Sequence, residues 1–217
     1  MRTSAVIFDL DGVLIDTERL AFTAWQRKLS EMGFSLEESD YRVMIGLDAD
    51  QTVSYVQVKT GIVSDPTTLL ADHEKMMLAI LDREIEPLPG ATELVWELHD
   101  RGYPLGIASN SSLDYVARAL KGLGLEGAFT AIISREQVRT GKPAPDIYLA
   151  ACAALGESPL QCLAVEDSIV GVKSAAAAGV RCIAIPAPGI PKEEFRVAYA
   201  IFESLPALRA SLDAVLL

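Results

Sequence analysis

The stretch "AVIFDLDGVLIDTE", Ala5–Glu18, decides the fold. It begins as an unbroken apolar run, and a continuous run suits a strand covered on both faces better than a half-exposed one, which would alternate. It then sets Asp9 and Asp11 one residue apart, directly before Gly12. Carboxylates at the end of a buried strand are costly to desolvate unless something neutralises them. Strand alternation points both to the same side. Gly12 lets the chain turn away without a side chain in the space they face.

Similar apolar runs recur along the chain. They are "PLGIAS" (Pro104–Ser109), "AIIS" (Ala131–Ser134), "CLAVED" (Cys162–Asp167) and "RCIAIP" (Arg181–Pro186), with "YAIFESL" (Tyr199–Leu205) as a sixth at an edge. Helical patterns alternate with them. "ATELVWELHDRG" runs from Ala91 to a Gly102 stop and "SLDYVARALKGLG" from Ser112 to Gly124. "PDIYLAACAALG" has Pro145 in its first turn and Gly156 as its stop, and "SIVGVKSAAAAG" runs from a Ser168 cap to Gly179. Alternating strand and helix predicts an α/β fold: a doubly wound, Rossmann-like parallel sheet.

One segment breaks the rhythm. Residues 16–86 carry helical periodicity and no strand pattern, in "ERLAFTAWQRKLSEMG", "DADQTVSYVQVKTG" and "DPTTLLADHEKMMLAILDREI". "EPLPG" (Glu86–Gly90) then returns to the α/β pattern. The expected organisation is a discontinuous α/β core, 1–15 and 87–217, with an all-helical cap domain, 16–86, inserted after the first strand.

The 217 residues suffice for one domain with such an insertion, and 50% hydrophobic residues allow a large core. The formal net charge is −11, which argues against nucleic acid or an anionic membrane as partner. It leaves open a small anionic substrate, because a bound cation and a few local Lys residues invert the field at one site. No apolar run reaches the ~18 residues of a membrane span, and "MRTSAVIFDL" turns acidic too early for a signal peptide. Cys152, Cys162 and Cys182 have neither disulfide-like nor metal-like spacing and read as buried apolar residues of a reducing compartment. A cytoplasmic protein, monomeric or weakly dimeric, is expected.

In an open parallel sheet, ligands bind at the carboxyl ends of the strands. Asp9 and Asp11 follow the first strand, Ser109 and Asn110 the second, Lys142 lies in the loop after the third, and Glu166 and Asp167 close the fourth. Clustered carboxylates need a cation, and an all-oxygen site that also takes phosphate suits Mg²⁺. Ser109 and Lys142 can donate to phosphoryl oxygens. A strand-end carboxylate can attack phosphorus, and a second one beside it can move a proton.

"FDLDGVLIDTE", "ASNSS", "KPAPDIY" and "VEDSIVGVKSAAAAG" together resemble the four ordered motifs of the haloacid dehalogenase-like hydrolase superfamily, in its branch with a helical cap after the first strand. The resemblance implies that Asp9 is the nucleophile and a Mg²⁺ ligand. Asp11 would be the general acid/base whose backbone carbonyl also binds the metal. It further implies that Ser109, Asn110 and Lys142 bind phosphate, and that Glu166 and Asp167 complete the metal site, Asp167 as a direct ligand. An aspartate at position 11 is the mark of phosphatases and phosphomutases rather than dehalogenases or phosphonatases of the superfamily.

The chain is also similar to β-phosphoglucomutases, which share "FDLDGV" and "KPAPDI". Mutases of that type carry a histidine four residues after the threonine of "DT" and an arginine in the cap loop after its glycine. Here those places hold Ala21 and, in "IGLDADQT", Ala49. The expectation is therefore a Mg²⁺-dependent phosphatase of a small phosphorylated metabolite, with a β-phosphoglucomutase-like mutase as the alternative. For specificity the cap offers Glu18, Arg42 and the loop containing Gly46. Asp16 and Thr17 read as caps of the first cap helix, Trp25 as core, and His73 and His99 as core or surface residues.

Overall fold

The computed structural model describes residues 2–187 and 190–217. In chain order the elements are β1 (Ala5–Phe8), α1 (Thr17–Glu31), α2 (Glu38–Met44), α3 (Ala49–Thr60), α4 (Pro66–Glu84), α5 (Ala91–Asp100), β2 (Leu105–Ala108), α6 (Leu113–Gly122) and β3 (Ala131–Ile133). They continue with α7 (Asp146–Leu155), β4 (Cys162–Glu166), α8 (Ile169–Ala177), β5 (Arg181–Ala184), β6 (Ala200–Ile201), α9 (Leu205–Arg209) and α10 (Leu212–Leu216). They form two compact units, Met1–Ile15 with Glu86–Leu217, and Asp16–Ile85.

In the first unit the strands make one sheet in the order β3-β2-β1-β4-β5-β6, and every pairing is parallel. The chain steps outward from β1 to β3, then crosses back to lay β4 on the other side of β1. Strand order thus reverses beside β1, the place where such sheets bind ligands. β1, β2 and β4 are buried along their whole length, which explains their continuous apolar runs. The core against one face joins Ile7, Ile147, Tyr148, Ala164 and Phe195. α6 and α8 start where expected, with Ser112 accepting from Tyr115 N and Ser168 from Gly171 N.

The second unit is helical. Its core gathers Phe22, Trp25, Leu29, Val56 and Leu69. α1 and α4 meet through the Trp25 indole stacked on the His73 ring at 4.4 Å. Asp16 caps α1 by accepting from Arg19 N at 2.9 Å. α2 is an element that the three-helix reading of this segment lacked. It is only 7 residues long and its N-cap is Glu37, outside the usual capping residues. Asp40 explains its presence. Its carboxylate, 1% exposed, accepts from Glu37 N (2.7 Å) and Tyr55 OH (2.6 Å) and pairs with Lys59 Nζ (2.8 Å). Burial alone would raise the Asp40 pKa, but these partners outweigh it and hold the group below the usual carboxylate range. Among the described residues no helix is long and apolar enough to cross a membrane.

Candidate active site

The carboxyl ends of β1, β2 and β4 bring the sequence-selected residues of the α/β unit together. Asp9 follows β1 and is 7% exposed; its Oδ1 accepts from Leu10 N at 2.8 Å. Glu166, the last residue of β4, is fully buried. Carboxylate oxygens of Asp9, Glu166 and Asp167 lie within 4.8 Å of one another. Lys142 Nζ inserts beside them, 2.9 Å from Asp9 Oδ1 and 2.6 Å from Glu166 Oε1, with its side chain 4% exposed.

The loop that carries Lys142 is tied to the end of β2. Asn110 Oδ1 accepts from Lys142 N at 2.9 Å, and Asn110 Nδ2 donates to Lys142 O at 3.3 Å. A side chain at Gly141 would collide with that amide. Asn110 therefore holds the lysine loop. Asp11 faces a different group of partners. Its Oδ2 accepts from Ser111 Oγ at 2.7 Å and from Ser109 Oγ at 3.3 Å.

The electrostatics mark a site short of positive charge. Burial pushes the Asp9 carboxyl well above the usual carboxylate range; Glu166 acts in the same direction, and Lys142 opposes it. Asp167 is pushed up to about 7, first by burial and then by Glu166. Burial alone would lower the Lys142 ammonium, but Asp9 and Glu166 outweigh it and raise the group. One ammonium thus serves a cluster of three carboxylates. An all-oxygen donor set with unbalanced negative charge fits a hard divalent cation. Space is reserved for these acids: a Cβ at Gly12 would overlap the Asp167 carboxylate, and one at Gly171 the Glu166 carboxylate.

A family model described as haloacid dehalogenase-like hydrolase matches residues 6–185. The chain belongs to the haloacid dehalogenase-like hydrolase family. Among curated relatives of this hydrolase, Protein SUPPRESSOR OF QUENCHING 1, chloroplastic, of Arabidopsis thaliana is 36% identical over 85% of this chain but only 18% of its own length. The bifunctional riboflavin kinase/FMN phosphatase of the same plant is matched over 50% of its length. The hydrolase thus spans half or less of these two. Fructose-1-phosphate phosphatase YqaB of Escherichia coli (strain K12) is 30% identical over 84% of this chain and 96% of that protein. The crystal structure of a HAD family hydrolase from Deinococcus radiodurans R1, with bound phosphate and sodium, is 31% identical. It covers 100% of this chain and 98% of that one with a TM-score of 0.79. The α/β architecture read from the strand runs is the fold of this family.

The helical unit of the hydrolase contains a cavity of about 140 Å³, whose wall includes Glu18, Trp25, Tyr41, Thr52 and His73. Ala21 and Ala49, the two places compared above with β-phosphoglucomutases, also line it. The Glu18 carboxyl is raised by burial, against a hydrogen bond from the Gly46 backbone. His73 Nε2 lies 2.8 Å from Ala21 O, and burial lowers its pKa. Arg42 is exposed on α2, and neither it nor Gly46 is among the lining residues; the Gly46 backbone hydrogen-bonds Glu18. His99 is on the surface.

Sequence reasoning gave Ser111, Tyr148 and Gly171 no role at the site and read Ser168 only as a helix cap. Tyr148 OH donates to Glu166 Oε1 at 2.6 Å and Ser168 Oγ to Glu166 Oε2 at 3.2 Å. Tyr148 stood inside the quoted motif "KPAPDIY", but a tyrosine on a helix carries no pattern that reveals which buried oxygen it will meet.

Proposed function

We propose that this hydrolase is a Mg²⁺-dependent phosphatase acting on a small phosphomonoester, a sugar phosphate or similar metabolite, through an aspartyl-phosphate on Asp9. The single observation that carries the reading is Lys142 Nζ ion-paired with Asp9 within a cluster of buried carboxylates at the strand ends. Asp9, Glu166 and Asp167, with the backbone carbonyl of Asp11, would hold the cation. Mg²⁺ bound there would neutralise charge on the phosphoryl oxygens.

The chain's own groups supply the rest. Ser109, Asn110 and Lys142 form the phosphate cradle, Asn110 by holding the loop that carries Lys142. The ionised Asp9 carboxylate attacks phosphorus, the ester P–O bond breaks, and Asp11 gives its proton to the leaving alkoxide. Water then attacks the same phosphorus, Asp11 takes its proton, and the Asp9–phosphorus bond breaks to release phosphate. Ser109 and Ser111 keep the Asp11 carboxylate in place for both transfers. Asp16–Ile85 is the cap domain in this reading, and its cavity with Glu18 is the candidate for recognising the organic part of the ester.

The alternative is a phosphomutase, since the β-phosphoglucomutase of Bacillus subtilis (strain 168) is 28% identical over 83% of this chain. The methyl groups of Ala21 and Ala49 offer nothing to hold a second phosphate, which favours hydrolysis. The test is a panel of phosphorylated metabolites assayed with Mg²⁺ and with a chelator. Release of phosphate from at least one, abolished by the chelator, is expected; full activity in the chelator rejects the metal role. A hexose 1-phosphate given with a bisphosphate activator should yield free phosphate faster than the 6-phosphate, and the opposite order reinstates the mutase.

A further inference from the structure

Glu166 is pinned at both oxygens. Its Oε1 receives Lys142 Nζ at 2.6 Å and Tyr148 OH at 2.6 Å, and its Oε2 receives Ser168 Oγ at 3.2 Å. Both Tyr148 and Glu166 are 0% exposed, so bulk water does not reach either partner. A buried carboxylate that lost one donor would turn toward whatever donors remained. Here that would pull on Lys142, the other group on the same oxygen.

Lys142 needs to be held accurately. Its ammonium is ion-paired with Asp9 at 2.9 Å and with Glu166 at 2.6 Å, and the positions of these two carboxylates set where the ammonium stands. The Tyr148 ring also borders the ammonium, with Nζ 5.4 Å from its centroid. Tyr148 therefore touches this arrangement in two separable ways, by its hydroxyl on Glu166 and by its ring face beside Lys142.

We infer that Tyr148 is a positioning residue for phosphate capture: its hydroxyl fixes Glu166 Oε1, and Glu166 in turn fixes where the Lys142 ammonium stands to meet a phosphoryl oxygen. The inference rests on the phosphatase reading above and assigns a function to a helix residue that never meets the substrate. Each link spans different elements. α7 supplies the phenol, β4 the carboxylate and the loop before α7 the ammonium, so their alignment sets the phosphate position relative to Asp9.

Tyr148→Phe isolates the hydroxyl, because the ring face and nearly all the core volume remain. Inorganic phosphate, titrated calorimetrically into the protein with Mg²⁺ present, is the first probe; kcat/KM for an ester from the panel is the second. Loss of one hydrogen bond to a charged group should weaken phosphate binding and lower kcat/KM about tenfold or somewhat more. Glu166→Gln should weaken both further by itself. The double variant should fall well short of the product of the two single effects, because both act through one oxygen. Unchanged phosphate affinity and kcat/KM in Tyr148→Phe, with or without a lower Tm, overturn the inference. Fully multiplicative effects overturn the route through Glu166. A measurement on the unmodified protein serves if the variant does not fold. The buried phenol proton, followed by NMR, should shift when phosphate is added, and an unmoved resonance overturns the inference. Failure of the phosphatase reading looks different: the unmodified protein would itself neither bind phosphate nor hydrolyse any ester.

Discussion

The hydroxyl of Ser111 donates a 2.7 Å hydrogen bond to Oδ2 of Asp11. Ser109 Oγ reaches the same oxygen at 3.3 Å and accepts from Ser111 N at 3.0 Å. The end of β2 thus grips the acid that follows β1. Asp9 and Asp11 have similar sequence surroundings but opposite partners, an ammonium for one and hydroxyls for the other. Ser111→Ala should leave the fold intact and let Asp11 wander from the position proposed for proton transfer. A fall in kcat of about tenfold, with KM little changed, is expected from loss of one hydrogen bond to a carboxylate. Steady-state kinetics decide it; a lower Tm with unchanged kcat would make Ser111 purely structural.

Metal and protons should compete at the cluster. Asp167 titrates at about 7 in the folded chain against an ordinary 3.8, and Asp9 is raised as well. Between those values the folded state binds more protons than the unfolded one. The contribution of these groups therefore favours the metal-free fold at low pH and is lost as pH rises through about 7. A cation on the ionised carboxylates reverses the trend. Tm measured with chelator and with Mg²⁺ should show a gap that widens from about pH 5 to about pH 8. A gap independent of pH would place the cation elsewhere.

Gly171 gives a prediction whose sign is opposite to the ordinary rule. It lies inside α8, where Gly→Ala normally stabilises by about 0.5–1 kcal/mol. The added methyl would overlap the Glu166 carboxylate. Gly171→Ala should therefore destabilise, and it should weaken phosphate binding by displacing Glu166 from Lys142. Gly12→Ala meets the Asp167 carboxylate and also strains a backbone at φ +73; it should weaken Mg²⁺ binding more than phosphate binding. Chemical denaturation and calorimetry of both variants provide the check. A more stable Gly171→Ala would mean that Glu166 moves aside at no cost.

What could be read in the sequence was what repeats or ends a run. Apolar runs marked the buried strands, and the polar residues ending them, Asp9, Ser109 and Glu166, marked the edge where the carboxylates gather, because parallel strands all finish on one side. What escaped was fixed by pairing between distant positions. Ser111 meets Asp11 across 100 residues and Tyr148 meets Glu166 across 18. No local period encodes such contacts. α2 escaped for a related reason: its support is Asp40 bonded to Tyr55 and Lys59 of another helix, so its stability is tertiary rather than local. Cavity-lining residues of the helical unit, such as Tyr41 and Thr52, are indistinguishable in sequence from other half-buried helix positions.

The last prediction separates the two aspartates of "FDLDG". Asp9 lies against Lys142 in the carboxylate cluster, whereas Asp11 accepts from the hydroxyls of Ser111 and Ser109. If Asp9 attacks phosphorus, Asp9→Asn should abolish covalent labelling by substrate phosphate, since an amide is a poor nucleophile. Asp11→Asn keeps the nucleophile and loses general acid–base help, typically worth ~10²–10⁴ in rate, or about 3–5 kcal/mol. The step that suffers depends on the leaving group. A nitrophenolate departs with little need of a proton, so phosphorylation of Asp9 should survive better than attack by water, and the aspartyl-phosphate should accumulate. A sugar alkoxide needs the proton, so its loss should already show in the first step. Acid quench followed by intact-mass measurement, with nitrophenyl phosphate and both variants, reads the difference directly. Added phosphate on Asp9→Asn but not on Asp11→Asn would reverse the two roles.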